Sequence, residues 1–133
     1  MRSNLDLARL LLRRAESDLA DVRRTLASEG PYDTALFHCQ QAVEKSLKAL
    51  LAAHDITYPK THDVAYLAEL CEGLCPELRR LPFDLAELNP FAVTIRYDEP
   101  DEPISLAFAQ EILNKTNQVL ALVMAALPED IRP

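Results

Sequence analysis

A chain of 133 residues with 49% hydrophobic side chains is long enough to bury roughly two-thirds of its unfolded surface in one core, so neither a disulfide framework nor a structural metal is needed to fold it. Its net charge of −7 excludes a protein that grips nucleic acid through an overall basic surface. Two glycines, no tryptophan and an abundance of Leu and Ala favour helices, and no apolar run approaches the ~18 residues that would span a membrane.

The charge is uneven: residues 1–60 carry nine basic and eight acidic side chains, residues 61–133 five and thirteen. A local basic face is still available from Arg9, Arg13, Arg14, Arg23 and Arg24 with Lys45 and Lys48, although arginines interleaved with Asp and Glu are commonly just a solvated helix face. Three cysteines are an odd count, which fits reduced thiols. Cys71 and Cys75 could share a helix face, but neither His54 nor His62 stands at a zinc spacing, so the expectation is small core residues and no metal. At the N-terminus, charges interrupt Leu7 to Leu12 and leave no apolar signal core, so a cytoplasmic location is expected.

The first helix is predicted over Asn4 to Ser28, with Leu5, Ala8, Leu12, Ala15, Leu19, Val22 and Leu26 as its apolar stripe. Gly30-Pro31 should end it and start the next, with Pro31 at a first helical position. The second helix is predicted over Tyr32 to His54. Both would be about 30 Å long and suited to antiparallel packing. Pro59 disfavours helix at Tyr58, and Thr61 then reads as an N-cap with Asp63 in the first turn of a third helix that runs to Glu72. Residues 77–98 read as one or two further helices, broken near Pro82 and Pro90. The run from Asp98 to Pro103 reads as an exposed acidic loop, and the last helix as Ser105 to Leu127, with Leu106, Ala109, Ile112, Leu113, Val119, Leu120 and Val123 apolar. One domain over residues 1–133 is expected, folded as an all-α, four- to five-helix, mostly antiparallel up-and-down bundle.

The second helix is the most informative element. Leu36, Cys39, Val43, Leu47, Leu50 and Leu51 recur at three- and four-residue steps as a buried stripe. Phe37, Gln41, Glu44, Lys45 and Lys48 fall on neighbouring stripes, which sets amide, carboxylate and ammonium groups one turn apart. Taken singly these have bland readings: Glu44 and Lys48 as an i,i+4 pair on a wet surface worth roughly 0.3–0.5 kcal/mol, His62 and Asp63 as decoration of a helix start, Arg96 paired with the acidic loop, Tyr97 packed over the bundle end.

Enzyme motifs are missing. There is no Gly-rich phosphate loop, no Gly-x-Ser-x-Gly, and no Glu-x-x-His for a di-iron bundle. Cys39 has His38 beside it in sequence, but the two point about 100° apart around a helix, the wrong arrangement for an activated thiolate.

The run Phe37 to Leu51, followed by Lys60-Thr61-His62-Asp63 and by Arg96-Tyr97-Asp98, resembles the HEPN domain family over nearly the whole chain. The resemblance implies a helical bundle that forms a homodimer, works beside a separately encoded minimal nucleotidyltransferase, and binds a nucleotide such as ATP or GTP. The candidate nucleotide-binding residues are Gln41, Glu44, Lys45, Lys48, His62, Asp63, Arg96 and Tyr97, with the cations holding phosphates and Tyr97 or Phe37 stacking on a base. Many relatives resemble metal-independent ribonucleases in which an Arg is followed after four to six residues by a His, the His moving a proton at a ribose 2′-hydroxyl. Here Tyr97-Asp98-Glu99-Pro100-Asp101-Glu102-Pro103 follows Arg96 without a histidine, and acids in its place would repel phosphate. The expectation is therefore a non-enzymatic binding module, with its partner part of a toxin–antitoxin-like pair, with no catalytic residue and no cofactor, RNA being a less favoured ligand. The alternatives are a toxin of a toxin–antitoxin-like pair that cleaves RNA without the usual motif, and a stand-alone nucleotide sensor.

Overall fold

Ser3 and Asp6 open the first helix with reciprocal hydrogen bonds: the Asp6 amide donates to Ser3 Oγ (3.1 Å) and the Ser3 amide to Asp6 Oδ2 (3.2 Å), a capping box that satisfies two orphan donors. The computed structural model describes residues 3–92 and 103–132. They form α1 (Asn4–Leu26), α2 (Asp33–Ala53), α3 (Val64–Cys71), two short 3-10 helices (Pro76–Arg80 and Leu85–Ala92), α4 (Leu106–Ala126) and a last 3-10 turn (Glu129–Ile131). No strand occurs among the described residues, and the expected all-α bundle is the observed architecture. No helix among them is long and apolar enough to cross a membrane.

The turn between α1 and α2 rests on Gly30, whose φ of +89° is a left-handed conformation; an added Cβ would also come within 3.2 Å of the Tyr32 ring. Pro31 lies before the helix rather than inside its first turn, because α2 begins at Asp33. The chain then returns antiparallel along α1, as the hydrogen bond from Asn4 near the start of α1 to Asp55 just past the end of α2 requires (2.9 Å). Fully buried Ala8, Ala15 and Val22 on α1, and Ala35, Ala42 and Ala49 on α2, repeat every seven residues, the seam period of closely packed helices.

Thirteen of the 21 residues of α2 are buried, against seven of 23 in α1, so α2 is the central element, touched by α1, α3, α4 and the second 3-10 helix. All six members of its predicted apolar stripe are buried. Four predicted core positions on other helices are not: Leu26 and Leu113 are half-buried, and Leu5 and Leu106 are exposed because each lies in the first turn of its helix, beyond the end of the packed stripe. Leu11 takes up core space on α1 that the predicted stripe did not include.

α3 is capped by Asp63, not Thr61: the Tyr66 amide donates to Asp63 Oδ1 (3.1 Å), while Thr61 Oγ1 accepts from the Asp63 amide (3.0 Å) and only shapes the approach. The predicted break at Pro90 is also absent, since a 3-10 helix runs through it from Leu85 to Ala92. The acidic segment 98–102 lies outside the described residues.

All three thiols are free and buried. Cys71 ends α3 and Cys75 lies beyond it, so the pair does not share a helix face. Burial pushes the Cys39 thiol up to about 11 and the Cys71 thiol up to about 12, and raises Cys75 as well. The native protein is therefore expected to resist Ellman's reagent at neutral pH, with the thiols reacting together on unfolding; one rapidly labelled thiol in the native state would contradict this. The same shifts imply stability lost in alkali, because the unfolded chain releases these protons near 9.0 while the folded chain retains them.

Candidate functional site

α2 places its polar side chains against two different neighbours, and each neighbour converts a surface pair into a buried cluster. On the side facing the loop before α3, Glu44 is only 5% exposed. Its Oε2 accepts from Lys48 Nζ (3.0 Å), and its Oε1 accepts from His62 Nδ1 (2.8 Å), Gln40 Nε2 (3.2 Å) and Gln41 Nε2 (3.4 Å). A carboxylate can only accept, so Nδ1 of His62 carries the proton and Nε2 is left outward. The imidazole is 71% exposed, whereas Lys48, at 12%, is held inside with its ammonium 5.3 Å from the centre of the Tyr58 ring.

The short Thr61-His62-Asp63 segment is fixed from three directions. Gln40 Nε2 donates to the His62 carbonyl (2.8 Å), Asp63 caps α3, and Asn89 from the second 3-10 helix both accepts from the Val64 amide (3.0 Å) and donates to Asp63 Oδ1 (2.9 Å). Burial raises the Glu44 pKa, but the hydrogen bonds from His62, Lys48 and Gln40 and the Lys48 charge outweigh it and hold the carboxyl below its ordinary 4.5. Asp63, held by the Tyr66 amide and Asn89, is also lowered.

On the side facing α1, Asp18 forms the second cluster. It is 6% exposed; Oδ1 lies 2.7 Å from His38 Nδ1 and Oδ2 2.7 Å from Lys45 Nζ. The Phe37 ring meets His38 edge to face at 5.3 Å. Each cluster thus joins one buried carboxylate to one lysine and one imidazole.

Of the predicted nucleotide-binding set, the structure brings together Gln41, Glu44, Lys48 and His62. Lys45 belongs to the Asp18 cluster, and Asp63 is turned to the α3 start. Arg96 and Tyr97 lie outside the described residues. The wet-surface reading of Glu44 and Lys48 is corrected: the loop carrying His62 closes over them. Sequence reasoning missed Asp18, His38, Gln40 and Tyr58 as members. Asp18 had left a signal, since it falls three residues after Ala15 and four before Val22, on the buried stripe of α1.

The predicted basic face is largely neutralised. Arg9 pairs with Asp6, Arg24 with Asp21, and Lys45 and Lys48 with the two buried carboxylates. Among the described residues no group of three or more His, Cys, Asp or Glu could hold a metal ion, and no buried side-chain nitrogen or oxygen lacks a partner. What the arrangement offers chemically is an oriented imidazole beside an amide, over a charge-balanced floor whose lysine packs against an aromatic ring.

Comparison with known proteins bears on the chain as a whole. The HEPN domain sequence profile matches residues 8–127. A protein of Methanocaldococcus jannaschii named "Putative toxin MJ1304" is 28% identical over 140 residues, covering 95% of this chain and 91% of the relative. No solved structure matches the chain significantly.

Proposed function

The chain belongs to the HEPN domain family, and from that premise we propose that it is a non-enzymatic nucleotide-binding module that forms a homodimer and works with a separately encoded minimal nucleotidyltransferase. The observation that carries the reading is the Glu44 cluster. It orients the His62 imidazole outward, with Gln41 on the same Glu44 oxygen and Lys48 held against the Tyr58 ring. Such a floor supports recognition of a ligand. Lys48 contributes a field that Glu44 largely balances, so a ligand would be met mainly at the outward edge of His62.

Calorimetry with ATP and GTP tests the site. His62 is exposed enough that His62→Ala should fold normally and lower nucleotide affinity about tenfold, the loss of one hydrogen-bonded contact. Unchanged affinity removes the site. A tagged chain recovered from native cells should carry a near-stoichiometric small nucleotidyltransferase, and recovery without one overturns the partner reading.

The relative's name favours a second reading, a toxin, for which RNA is the target that the family resemblance suggests. Purified chain should leave RNA intact under the first reading. Cleavage that is lost in Arg96→Ala would replace it with the second.

A further inference from the structure

The last 3-10 turn packs against α1 and leaves a cavity of about 340 Å³ between them, lined by Arg9, Leu12 and Arg13 on one side and by Asp130, Ile131 and Arg132 on the other. Leu12 and Ile131 are buried, and the lining is mainly apolar. Its charged groups are three guanidiniums and one carboxylate. Arg132 is fixed by its own bonds: Nε donates to the Leu127 carbonyl (3.1 Å), and Nη2 donates to the carbonyls of Leu127 (2.8 Å) and Ala125 (3.2 Å). It thereby covers the negative end of α4. Arg9 is shared with Asp6 (3.4 Å), whereas Arg13 has neither a hydrogen bond nor an ion pair among the described residues. Once Arg9 is set against Asp6, Arg13 and Arg132 stand against Asp130 alone, which leaves a single positive charge over an apolar floor. A concavity of this size with a few polar groups at its edge is the usual form of a small-ligand site. An Arg already held by backbone carbonyls also loses little freedom when it meets an anion.

We propose that this cavity binds a small monocarboxylate with an apolar body, its carboxylate facing Arg13 and Arg132 and its hydrocarbon lying over Leu12 and Ile131. A dianionic phosphate matches less well, because the uncompensated charge is one and most of the lining gains only from apolar contact. A polyanion such as RNA fits worse, since the whole chain carries a net charge of −7. The cavity shares no residue with the Glu44 cluster, so the inference stands or falls separately from the nucleotide reading.

Hexanoate is the probe, with acetate and hexanol as controls that carry only the charge or only the apolar body. In an NMR titration of the whole chain, hexanoate should saturate, with amide shifts concentrated on Ala8–Arg13 and Leu127–Arg132. Acetate and hexanol should each bind about tenfold more weakly or less. Arg13→Ala, at an exposed position, should fold normally and lower hexanoate affinity about tenfold. Arg14→Ala, the next residue and outside the lining, should leave it unchanged, as should His62→Ala. Acetate binding as well as hexanoate, or an equal loss in Arg14→Ala, would reduce the cavity to a diffuse basic surface and overturn the proposal. Shifts that never saturate, an unaffected Arg13→Ala, or inorganic phosphate binding more tightly than hexanoate would overturn it too.

Discussion

Glu44→Ala is expected to destabilise the protein by about 3–5 kcal/mol, the cost of stranding a buried charge whose partner has been removed. For a domain of this size that lowers Tm by on the order of 10 °C. Lys48 is 12% exposed, so its ammonium cannot recover full hydration without leaving the Tyr58 ring. The Gln40 amide would lose one of its two acceptors, Glu44 and the His62 carbonyl, and the Thr61–Asp63 segment would lose its contact with α2 through His62. Replacing both charges, as in Glu44→Leu with Lys48→Met, should recover most of the stability, because an apolar pair of similar volume needs no solvation. Chemical denaturation of the single and double variants separates the two terms. A single variant within about 1 kcal/mol of wild type would show that water already reaches Glu44.

The same carboxylate should be visible in acid. The unfolded chain protonates it near 4.5, whereas His62, Lys48 and Gln40 hold the folded carboxyl lower. Between the two values the unfolded state binds more protons, so stability rises with pH there. The Glu44 contribution is thus complete above about 4.5 and disappears as pH falls through the folded value. Glu44→Gln should flatten this part of the acid limb.

Fold class was legible because α2 and α4 carry apolar residues at helical steps over twenty positions and end at clear stops. The candidate site was half legible, and the reason is geometric. Periodicity tells which residues share a face of one helix, so Gln41, Glu44 and Lys48 could be grouped, but not what lies opposite. Lys45 was grouped with them although its ammonium reaches across to Asp18 on α1. His62 came from resemblance, since nothing within Lys60 to Asp63 says that a glutamate eighteen residues earlier will meet it. The cap at Asp63 was misplaced by two residues for a related reason. Thr61 and Asp63 are both good cap types, and Asn89, which settles the choice by binding both Asp63 and the Val64 amide, comes from a distant segment.

Asp18→Ala is the second large effect, expected at about 3 kcal/mol, the low end of the range for breaking a buried pair. Both carboxylate oxygens are engaged, each at 2.7 Å, but Lys45 and His38 are 23% and 28% exposed and can turn partly to water. The loss should fall on the α1–α2 hairpin, measurable as faster amide exchange along α1 near residue 18. Asp18→Leu with Lys45→Met should restore stability if the cluster only clasps the two helices. Nucleotide binding then discriminates the two clusters: variants of Asp18 should leave affinity for ATP or GTP intact, while His62→Ala lowers it. If the Asp18 double variant folds with wild-type stability yet loses nucleotide, the ligand meets the α1 side of α2, and His38 and Lys45, not His62 and Gln41, form its site.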